Sequence, residues 1–413
     1  MSKLQPVRGT KDLLFEEAEL YRKIVEIVKK VSLLYGFQEI ATPIFEFSEV
    51  FSKTLGDTSD IVNKEMYIFK DRSGNELALR PEGTAGIARS FISNGLNQQA
   101  PLKFFYAGPM FRYERPQKGR FRQFHQFGIE IIGIDSYHAD LEAILLADHS
   151  VKALGLSGET VLELNTLGDE ESRRRYKKIL IEYFSDFKDQ LSSDSKLRLK
   201  NNPLRILDSK DSQDSKVIQN APKMTDCLNE VSKDFFAKLL EDLKSLGIKY
   251  QINQKLVRGL DYYNDIIFEF KNNSLGSQDA ILAGGRYDNL IASMGGPNVC
   301  GVGWAAGIDR LTLLAKLPKN NERSISLIPV SDQDHKTALK ISQTLRREGL
   351  AVDIAFGGSL SKRLKKANAL NARMAVILGL EEVEKSSATV RDLDSGKQSI
   401  VSIKDLLKKL KNY

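Results

Sequence analysis

Residues 105–130 read FYAGPMFRYERPQKGRFRQFHQFGIE, and positive charge is concentrated in the middle of this stretch. From residue 112 to residue 122 there are five cations and one carboxylate, Glu114, set among aromatic residues. Arginine is always charged, and its planar fork matches phosphate or carboxylate oxygens, so the pattern suits an anionic ligand. Taken alone, Arg112 and Glu114 are more typical of an ion pair on the surface of a strand.

The composition of the whole chain also favours a polyanionic partner. The 413 residues carry a formal net charge of +7 and the pI is about 9.0, and surplus Lys and Arg neutralise phosphates well. Charge alone does not decide the matter, because many basic enzymes bind no nucleic acid. A content of 41% apolar and 28% charged residues is typical of a globular protein. A length of 413 residues predicts two or three domains, since it is too long for one ordinary core.

Several kinds of site and targeting signal are missing from the sequence. Cys227 and Cys300 are far apart and the four histidines lack metal-ligand spacing, so we expect neither a disulfide framework nor a metal site. No G-x-x-x-x-G-K-[ST] loop is present, and GVGWAAG departs from the dinucleotide-binding spacing. There is no apolar run of about 18 residues and no apolar N-terminal stretch, so we expect a cytoplasmic protein that binds no membrane.

A long helix and a series of short β-rich segments surround the charged stretch. Apolar residues recur at helical spacing from residue 16 to residue 35, and Gly36 stands where a helix C-cap belongs. The turns RSGN and RPQKG are too short for crossover helices, which favours antiparallel hairpins. Helical periodicity returns over residues 139–154.

Changes in composition predict an α+β protein of two domains with an insertion in the first. Residues 169–226 are charged, helical and poor in β-branched residues, which indicates a helical module inserted into a domain that spans residues 1–320. Residues 318–324, PKNNERS, read as a linker. Over residues 325–413 strands alternate with helices, which predicts a small α/β domain with a mostly parallel sheet.

The order of these pieces resembles that of the class II aminoacyl-tRNA synthetases. The charged hairpin resembles their motif 2, GVGWAAGIDRL resembles motif 3, and the first helix with ATPIF resembles motif 1, the dimer element. LVRGLDYYN and AGGRYDNL resemble the two signature peptides of the histidyl-tRNA synthetase family, bacterial type, and RGTKD and LRPEGTAGIAR resemble its N-terminal elements. Residues 325–413 are similar to the family's anticodon-binding domain. The resemblance covers nearly the whole chain and implies a class II antiparallel catalytic domain.

The resemblance implies a reaction and the residues that perform it. ATP would activate L-histidine to histidyl-adenylate with release of pyrophosphate, and the histidyl group would pass to the 3′-terminal adenosine of tRNA-His. Charge gathers on phosphoryl oxygens in such a step, so fixed cations are needed, and the implied catalytic residues are Arg112 and Arg258. The implied ATP-binding residues are Arg112, Glu114, Arg120, Phe124 and Arg310. Mg²⁺ on the phosphates is implied by the family and by no ligand motif.

The resemblance also implies how histidine and tRNA are recognised. The implied histidine-binding residues are Glu82, Gly83, Thr84, Arg112, Gln126, Glu130, Arg258, Tyr262, Tyr263 and Tyr287. Among them, Glu130 and Tyr263 resemble the readers of the imidazole ring. Arg115, Gln117 and Lys118 would meet the tRNA acceptor end, where bacterial members read an extra 5′ guanosine. We also expect a homodimer, and an insertion that clasps the acceptor arm.

Two other functions stay open at this point. Non-catalytic paralogues that regulate ATP phosphoribosyltransferase resemble the same family, although they typically lack the anticodon domain and parts of the signature peptides. A basic nucleic-acid-binding protein without catalysis would explain the charge, but it would leave Glu82, Glu130 and the tyrosines without a purpose.

Overall fold

The chain divides into two units, Met1–Leu317 and Pro318–Tyr413. The computed structural model describes residues 4–56, 59, 61–276, 279–318 and 323–411. Residues 319–322, which belong to the predicted linker, lie outside the described residues. No helix in the described ranges is long and apolar enough to cross a membrane.

The first unit combines helices with a large sheet and a small one. Its strands are β1 (Gln38–Glu39), β2 (Phe45–Phe47), β3 (Ile68–Lys70), β4 (Glu76–Leu79), β5 (Leu102–Phe111), β6 (Gln123–Ile132), β7 (Thr160–Thr166), β8 (Gln251–Ile252), β9 (Asn264–Asn272), β10 (Ala280–Arg286) and β11 (Gly301–Gly307). Its α-helices are α1 (Phe15–Leu34), α2 (Ser48–Leu55), α3 (Thr84–Ser93), α4 (Tyr137–Ala153), α5 (Glu170–Asp186), α6 (Ser193–Asn201), α7 (Ser215–Gln219), α8 (Glu230–Ser245), α9 (Leu290–Ser293) and α10 (Ile308–Leu314). Single turns of 3₁₀ helix span Leu96–Gln99, Ser157–Glu159, Lys188–Gln190, Pro203–Ile206, Met224–Cys227 and Asn273–Leu275, and a π-helical turn spans Ile61–Glu65.

The large sheet is mainly antiparallel, as the short turns predicted. Its strand order is β1-β5-β6-β11-β10-β9-β7-β8. The outermost pairs, β1 with β5 and β7 with β8, are parallel, and the pairs between them are antiparallel. β5 and β6 form the charged hairpin, in which Phe111 faces Gln123 before the chain turns. β2, β4 and β3 form the small antiparallel sheet, whose β3–β4 hairpin contains the predicted RSGN turn.

Helices α1 and α4 contribute to the main hydrophobic core beneath the large sheet. Ile24 of α1 is buried in the same cluster as Phe127 and Trp304 of the sheet, and Trp304 Nε1 donates to the carbonyl of Ala143 in α4 at 2.9 Å. Helix α1 lies within one residue of the predicted helix, and Gly36 follows it with a φ of +77°, as its C-cap position predicted. The core therefore fixes one face of the sheet, and a second buried cluster that includes Phe104, Tyr106 and Ile267 covers part of the other face.

A helical module lies between β7 and β8 and covers the residues that we predicted as an insertion. Its buried apolar residues include Tyr176, Leu180, Phe184, Ile206 and Val217. The buried carboxylate of Asp214 accepts hydrogen bonds from the hydroxyls of Ser192, Ser195 and Ser209 at 2.9, 2.6 and 2.5 Å. These bonds tie the start of α6 to the loop that precedes α7 and fix the shape of the module.

The second unit is a small α/β domain with a mixed sheet. Its elements are β12 (Ile325–Pro329), α11 (His335–Arg347), β13 (Val352–Ile354), α12 (Leu360–Ala369), β14 (Met374–Leu378), α13 (Leu380–Glu384), β15 (Ser387–Asp392), β16 (Gln398–Ser402) and α14 (Ile403–Lys411). The strand order is β13-β12-β14-β15-β16, and β12 pairs in parallel with both β13 and β14. The prediction of a mostly parallel sheet is wrong, since β14–β15 and β15–β16 are antiparallel. Their connections are too short for crossover helices, and Gly396, with a φ of +69°, closes the second of them.

Candidate active site

A cavity of about 330 Å³ is lined by residues of the large sheet and of the loops beside it. Of the residues that the sequence predicted, those that line it are Glu82, Thr84, Arg112, Glu114, Arg120, Phe124, Gln126, Arg258, Tyr262, Tyr263 and Arg310. They come from the β4–α3 loop, the β5–β6 hairpin, the loop before β9 and the start of α10. Gly83, Glu130 and Tyr287 do not line this cavity, although the last two are bonded to residues near it.

Strand alternation explains why these side chains share one face. Phe124, Gln126 and Glu130 are separated by even numbers of residues along β6, so they project from the same side of the sheet. On the neighbouring strand β11, Gly303 is paired with Glu130. A Cβ at Gly303 would lie 1.9 Å from Glu130 Oε2, so only glycine leaves room for this carboxylate.

Glu130 is a buried carboxylate held by two hydroxyl groups. Thr84 Oγ1 donates to Glu130 Oε1 at 2.7 Å, and the hydroxyl of Tyr287 donates to Oε2 at 2.5 Å. Burial raises the pKa of Glu130 to about 8, the two hydroxyl donors offset part of that rise, and nearby Glu82 adds to it. The site therefore contains a carboxyl group that is poised to gain or lose a proton near neutral pH.

Glu82 lies at the N-terminus of helix α3. Its carboxylate accepts from the backbone N–H groups of Thr84 and Ala85 at 2.6 and 2.8 Å, where the helix dipole favours negative charge. Burial nevertheless raises the pKa of Glu82, because desolvation outweighs these bonds and the attraction of Arg112. A Cβ at Gly83 would lie 2.3 Å from the ring of Tyr106, so this glycine lets the ring pack beneath the loop.

Two arginines that line the cavity are held by different contacts. Arg112 Nε donates to the carbonyl of Pro81 at 2.9 Å, and its guanidinium carbon lies 5.3 Å from the centre of the Phe124 ring. Arg258 is paired with Glu269, and its guanidinium carbon lies 5.4 Å from the centre of the Tyr263 ring. Cation–π contacts of this kind orient a guanidinium group without neutralising its charge.

A second group of charges lies where the resemblance implies the ATP phosphates and the adenine. Arg310 Nη1 donates to the carbonyl of Ala280 at 2.5 Å, and Arg120 Nη1 donates to Glu114 Oε2 at 2.7 Å. Burial lowers the pKa of Arg310, and the positive charges of Arg120 and Arg112 lower it further. Such mutual repulsion among cations is relieved when an anion binds between them.

Tyr262, Tyr263 and Tyr287 form a group of neighbouring aromatic rings, and the first two line the cavity together with Arg258. The ring centres of Tyr262 and Tyr263 are 4.6 Å apart, and those of Tyr262 and Tyr287 are 5.8 Å apart. Burial raises the pKa of Tyr262 well above its usual range, and the charges of Tyr263 and Glu82 add to the rise. These hydroxyls therefore remain neutral hydrogen-bonding groups at physiological pH.

Four buried polar atoms at this site have no hydrogen-bond partner in the part of the chain that the structure describes. They are His125 Nδ1, Gln126 Oε1, Arg258 Nε and the hydroxyl oxygen of Tyr106. Buried polar groups are nearly always paired in folded proteins, since leaving one unpaired costs about 1–3 kcal/mol. His125, Gln126 and Arg258 also line the cavity, so these unpaired atoms lie in the wall of a space that can take a polar ligand.

The residues predicted to meet tRNA lie apart from the cavity, at the tip of the β5–β6 hairpin. Arg115, Gln117 and Lys118 are exposed. The backbone groups of Gln117 and Arg120 exchange hydrogen bonds at 3.2 and 2.9 Å, and Gly119 takes the left-handed conformation, with a φ of +71°, that the turn requires. The tip is thus a closed two-residue turn with its polar side chains in solvent.

Comparison with known proteins gives consistent results along the whole chain. The family model described as histidyl-tRNA synthetase matches residues 9–168 and 196–311, and the model described as anticodon binding domain matches residues 324–413. The chain belongs to the histidyl-tRNA synthetase family. It is 53% identical to the histidine–tRNA ligase of Rhodospirillum rubrum, over 98% of this chain and 97% of that protein. It is 49% identical to that of Gluconacetobacter diazotrophicus, over 98% and 97%.

A solved structure shows the same architecture. The apo histidyl-tRNA synthetase of S. aureus is 31% identical, with a TM-score of 0.82, and the match covers 98% of this chain and 99% of that one. The predicted family and fold class are therefore confirmed. Full-length matches to curated proteins named histidine–tRNA ligase also support the synthetase rather than the regulatory paralogue. Membership of a family of ligases likewise disfavours a protein that only binds nucleic acid.

Sequence reasoning missed two residues that this family member brings to its cavity from the inserted module. Asp208 and Lys210 follow the 3₁₀ turn Pro203–Ile206 and line the cavity with Arg258 and Leu260. No spacing could have indicated them, because the module has no register with the sheet. The hydrogen bond from Ser209 to buried Asp214 anchors the loop that carries both residues.

No cluster of three or more His, Cys, Asp or Glu side chains able to hold a metal ion occurs among the described residues. Carboxylates do lie near the phosphate side, since Glu269 and Asp279 line the cavity and Asp279 precedes the carbonyl that Arg310 contacts. Mg²⁺ usually takes one or two carboxylates together with substrate phosphates and water, so this donor set suits an ion that arrives on a nucleotide.

Proposed function

We propose that the chain ligates L-histidine to tRNA-His in the cytoplasm in two steps, an ATP-dependent activation to histidyl-adenylate and a transfer of the histidyl group to the tRNA that releases AMP. As a member of the histidyl-tRNA synthetase family it is an aminoacyl-tRNA synthetase, and the family uses ATP. The observation that carries the residue-level proposal is that Gln126 and Arg258 line the cavity and that each has a buried polar atom without a hydrogen-bond partner among the described residues. A zwitterionic amino acid with a polar side chain beside a triphosphate supplies the groups that such a cavity lacks.

In the first step, a carboxylate oxygen of histidine attacks the α-phosphorus of ATP. A new P–O bond forms, the bond from the α-phosphorus to the bridging oxygen of the β-phosphate breaks, and pyrophosphate leaves with the bonding electron pair. Arg112 would bridge the carboxylate and the α-phosphate, Arg258 would support that phosphate from the other side, and Arg310 would hold the γ-phosphate. Catalysis of this kind consists of positioning and charge stabilisation, which fixed guanidinium groups provide.

Histidine would be recognised at the Glu82 and Glu130 side of the cavity. Glu130 and Tyr263 would read the imidazole ring, and Tyr262 and Tyr287 would enclose it. Glu82, Gly83, Thr84 and Gln126 would surround the α-amino group, which is cationic. A site with buried polar groups rejects analogues that cannot pair with them by roughly 10⁴-fold.

ATP would be held at the other end of the cavity. Glu114 would accept from the adenine amino group, Phe124 would stack on the ring, and Arg120 would lie beside the triphosphate. Glu269 or Asp279 would help to hold Mg²⁺, which would neutralise part of the phosphate charge. Pyrophosphate exchange should stop when Mg²⁺ is chelated and return when it is restored, and exchange that survives chelation would refute the magnesium proposal.

The tRNA would contact three parts of the chain. The hairpin tip with Arg115, Gln117 and Lys118 would meet the acceptor end, the helical insertion would clasp the acceptor arm, and the second unit would bind the anticodon. Because RPQKG is intact, we expect charging to depend on the extra 5′ guanosine of the tRNA. Equal charging of transcripts with and without this nucleotide would refute that dependence.

A homodimer is proposed from the region that resembles motif 1. Leu33 and Leu34 at the end of α1 and Phe45 and Phe47 of β2 are large apolar residues that are exposed in the single chain. Burial in a partner subunit would remove them from water. Sedimentation at micromolar concentration should give the dimer mass, and a monomer mass would overturn this proposal.

The whole reaction is tested by charging tRNA with labelled histidine in the presence of ATP. The wild type should charge tRNA-His, and Arg112→Ala should lose at least about 100-fold, because it removes a cation that acts in the transition state. Lys53→Ala, which changes an exposed helix pair, is the matched control. A folded wild-type protein that binds tRNA but never charges it would contradict the proposed function.

A further inference from the structure

The segment that carries Arg258, Tyr262 and Tyr263 is a loop without regular structure. It runs from residue 253 to residue 263, between β8 and β9. Backbone carbonyls in such a loop have no strand partners, so side chains or water must pair with them. The position of the loop therefore depends on groups outside it.

Side chains of the inserted module bond to the part of this loop from Arg258 to Tyr263. Arg173 Nη1 donates to the carbonyl of Tyr263 at 2.6 Å, and Arg205 Nη1 donates to the carbonyl of Arg258 at 3.2 Å. Asn202 Nδ2 donates to Asp261 Oδ1 at 3.0 Å. Arg173 lies on α5, whereas the other two lie at and just after the end of α6, so two separate parts of the module hold one loop.

A second cavity of about 510 Å³ lies between the module and the loop. Arg173, Arg174 and Arg205 of the module line it, and Arg258 and Tyr263 line both this cavity and the one described above. The loop is thus the wall between two cavities, with space on either side into which it could shift. Strand β7 holds the start of the loop, since Asn165 Nδ2 donates to the carbonyl of Leu256 at 2.9 Å. From Arg258 to Tyr263, bonds from the module to the backbone oppose such a shift.

We propose that Arg173, Asn202 and Arg205 are positioning residues for the activation of histidine. They act through the loop and touch neither substrate. Arg205 fixes the backbone of Arg258 and hence its guanidinium on the α-phosphate, whereas Arg173 fixes the backbone of Tyr263 and hence the imidazole subsite. The inference rests on the proposed function and assigns to the insertion a part in the step that needs no tRNA.

The two arginines should give different kinetic signatures in histidine-dependent exchange of pyrophosphate into ATP, measured without tRNA. Arg205→Ala should lower kcat about 10-fold to 100-fold, with a smaller change in KM for histidine, because a misplaced charge mainly affects the transition state. Arg173→Ala should raise KM for histidine about 10-fold. Arg174→Ala is the matched control, since it removes the same charge from the same cavity and, within the described residues, donates no hydrogen bond to the loop. It should stay within about 2-fold of the wild type.

Wild-type values for both Arg205→Ala and Arg173→Ala would overturn the proposal, and so would an equal loss in Arg174→Ala, which would indicate a general effect of charge. If either alanine variant does not fold, the lysine variant replaces it, because an ammonium cannot reproduce the guanidinium geometry. A partial decrease in kcat for the Arg205 lysine variant, or a partial increase in KM for histidine for the Arg173 lysine variant, supports the proposal, and unchanged kinetics refute it. Failure of the proposed function is separate, because it would remove exchange from the wild type.

Discussion

Glu130 should make histidine recognition depend on pH. Burial raises its pKa to about 8, and the hydroxyls of Tyr287 and Thr84 offset that rise only in part. A raised carboxyl pKa means that the protonated form persists up to that pH, so the ionised form that can accept from an imidazole N–H decreases as pH falls below 8. At pH 7 about one tenth of the free protein has an ionised Glu130, and ionising the rest costs about 1.4 kcal/mol.

The assay is kcat/KM for histidine in pyrophosphate exchange between about pH 6.5 and pH 9, because this quantity reports the pKa values of the free enzyme and free substrate. For the wild type, kcat/KM should decrease as the pH falls below 8, and the slope should approach a 10-fold decrease per pH unit. Glu130→Gln keeps the shape of the side chain but cannot ionise, so this decrease, the acid limb of the profile, should be absent from the variant. Above pH 8 the variant should be about 10-fold to 100-fold less active, since a charge-assisted hydrogen bond becomes a neutral one.

Titration of the substrate imidazole, near pH 6.5, is common to wild type and variant and so cannot produce a difference between them. Calorimetry in buffers of different ionisation enthalpy gives an independent reading, because histidine binding at pH 7 should release a proton from the wild type and not from Glu130→Gln. A profile that is flat between pH 6.5 and pH 8, or a limb that persists in the variant, would refute the reasoning about Glu130.

Two further predictions concern the framework that positions the site. Arg286→Ala should lower the free energy of unfolding by about 3–5 kcal/mol, because it leaves the fully buried carboxylate of Asp140 unpaired. Lys53→Ala, which removes an exposed ion pair, should lower it by less than about 1 kcal/mol, and equal denaturation midpoints for the two variants would contradict this. Gly303→Ala should abolish histidine-dependent exchange, because its Cβ would lie 1.9 Å from a carboxylate oxygen, whereas Gly158→Ala, whose Cβ meets nothing within 4 Å, should be neutral; an active Gly303→Ala would disprove the steric argument.

Much of the catalytic sheet could be predicted because its signals are local. Alternation along β6 and the short turn after β5 determine which side chains share a face, so Phe124, Gln126 and Glu130 could be placed together before the fold was known. Roles within the site came from a resemblance between motifs, since Arg112 and Glu114 alone are typical of a strand-surface ion pair. In the structure both residues line the cavity, and Arg112 Nη1 lies 3.8 Å from Glu114 Oε1.

Other features could not be predicted, because they depend on contacts between distant segments. Asp208 and Lys210 enter the cavity from a module whose placement follows from its own packing and from bonds such as Arg173 to the Tyr263 carbonyl, 90 residues away. The wrong prediction of a mostly parallel sheet in the second unit has a different cause, because two local signals conflict. The DSGK turn before β16 indicates an antiparallel hairpin, whereas the alternation of strands with helices indicates parallel strands.

The central claim is that the cavity activates histidine with ATP, with Arg258 on the α-phosphate. The most direct measurement is amino-acid-dependent exchange of labelled pyrophosphate into ATP, without tRNA, for the wild type and Arg258→Ala. We predict exchange with histidine alone among the amino acids, and its loss in a folded Arg258→Ala variant. No exchange from a folded wild type, or exchange unchanged by the substitution, would contradict the account.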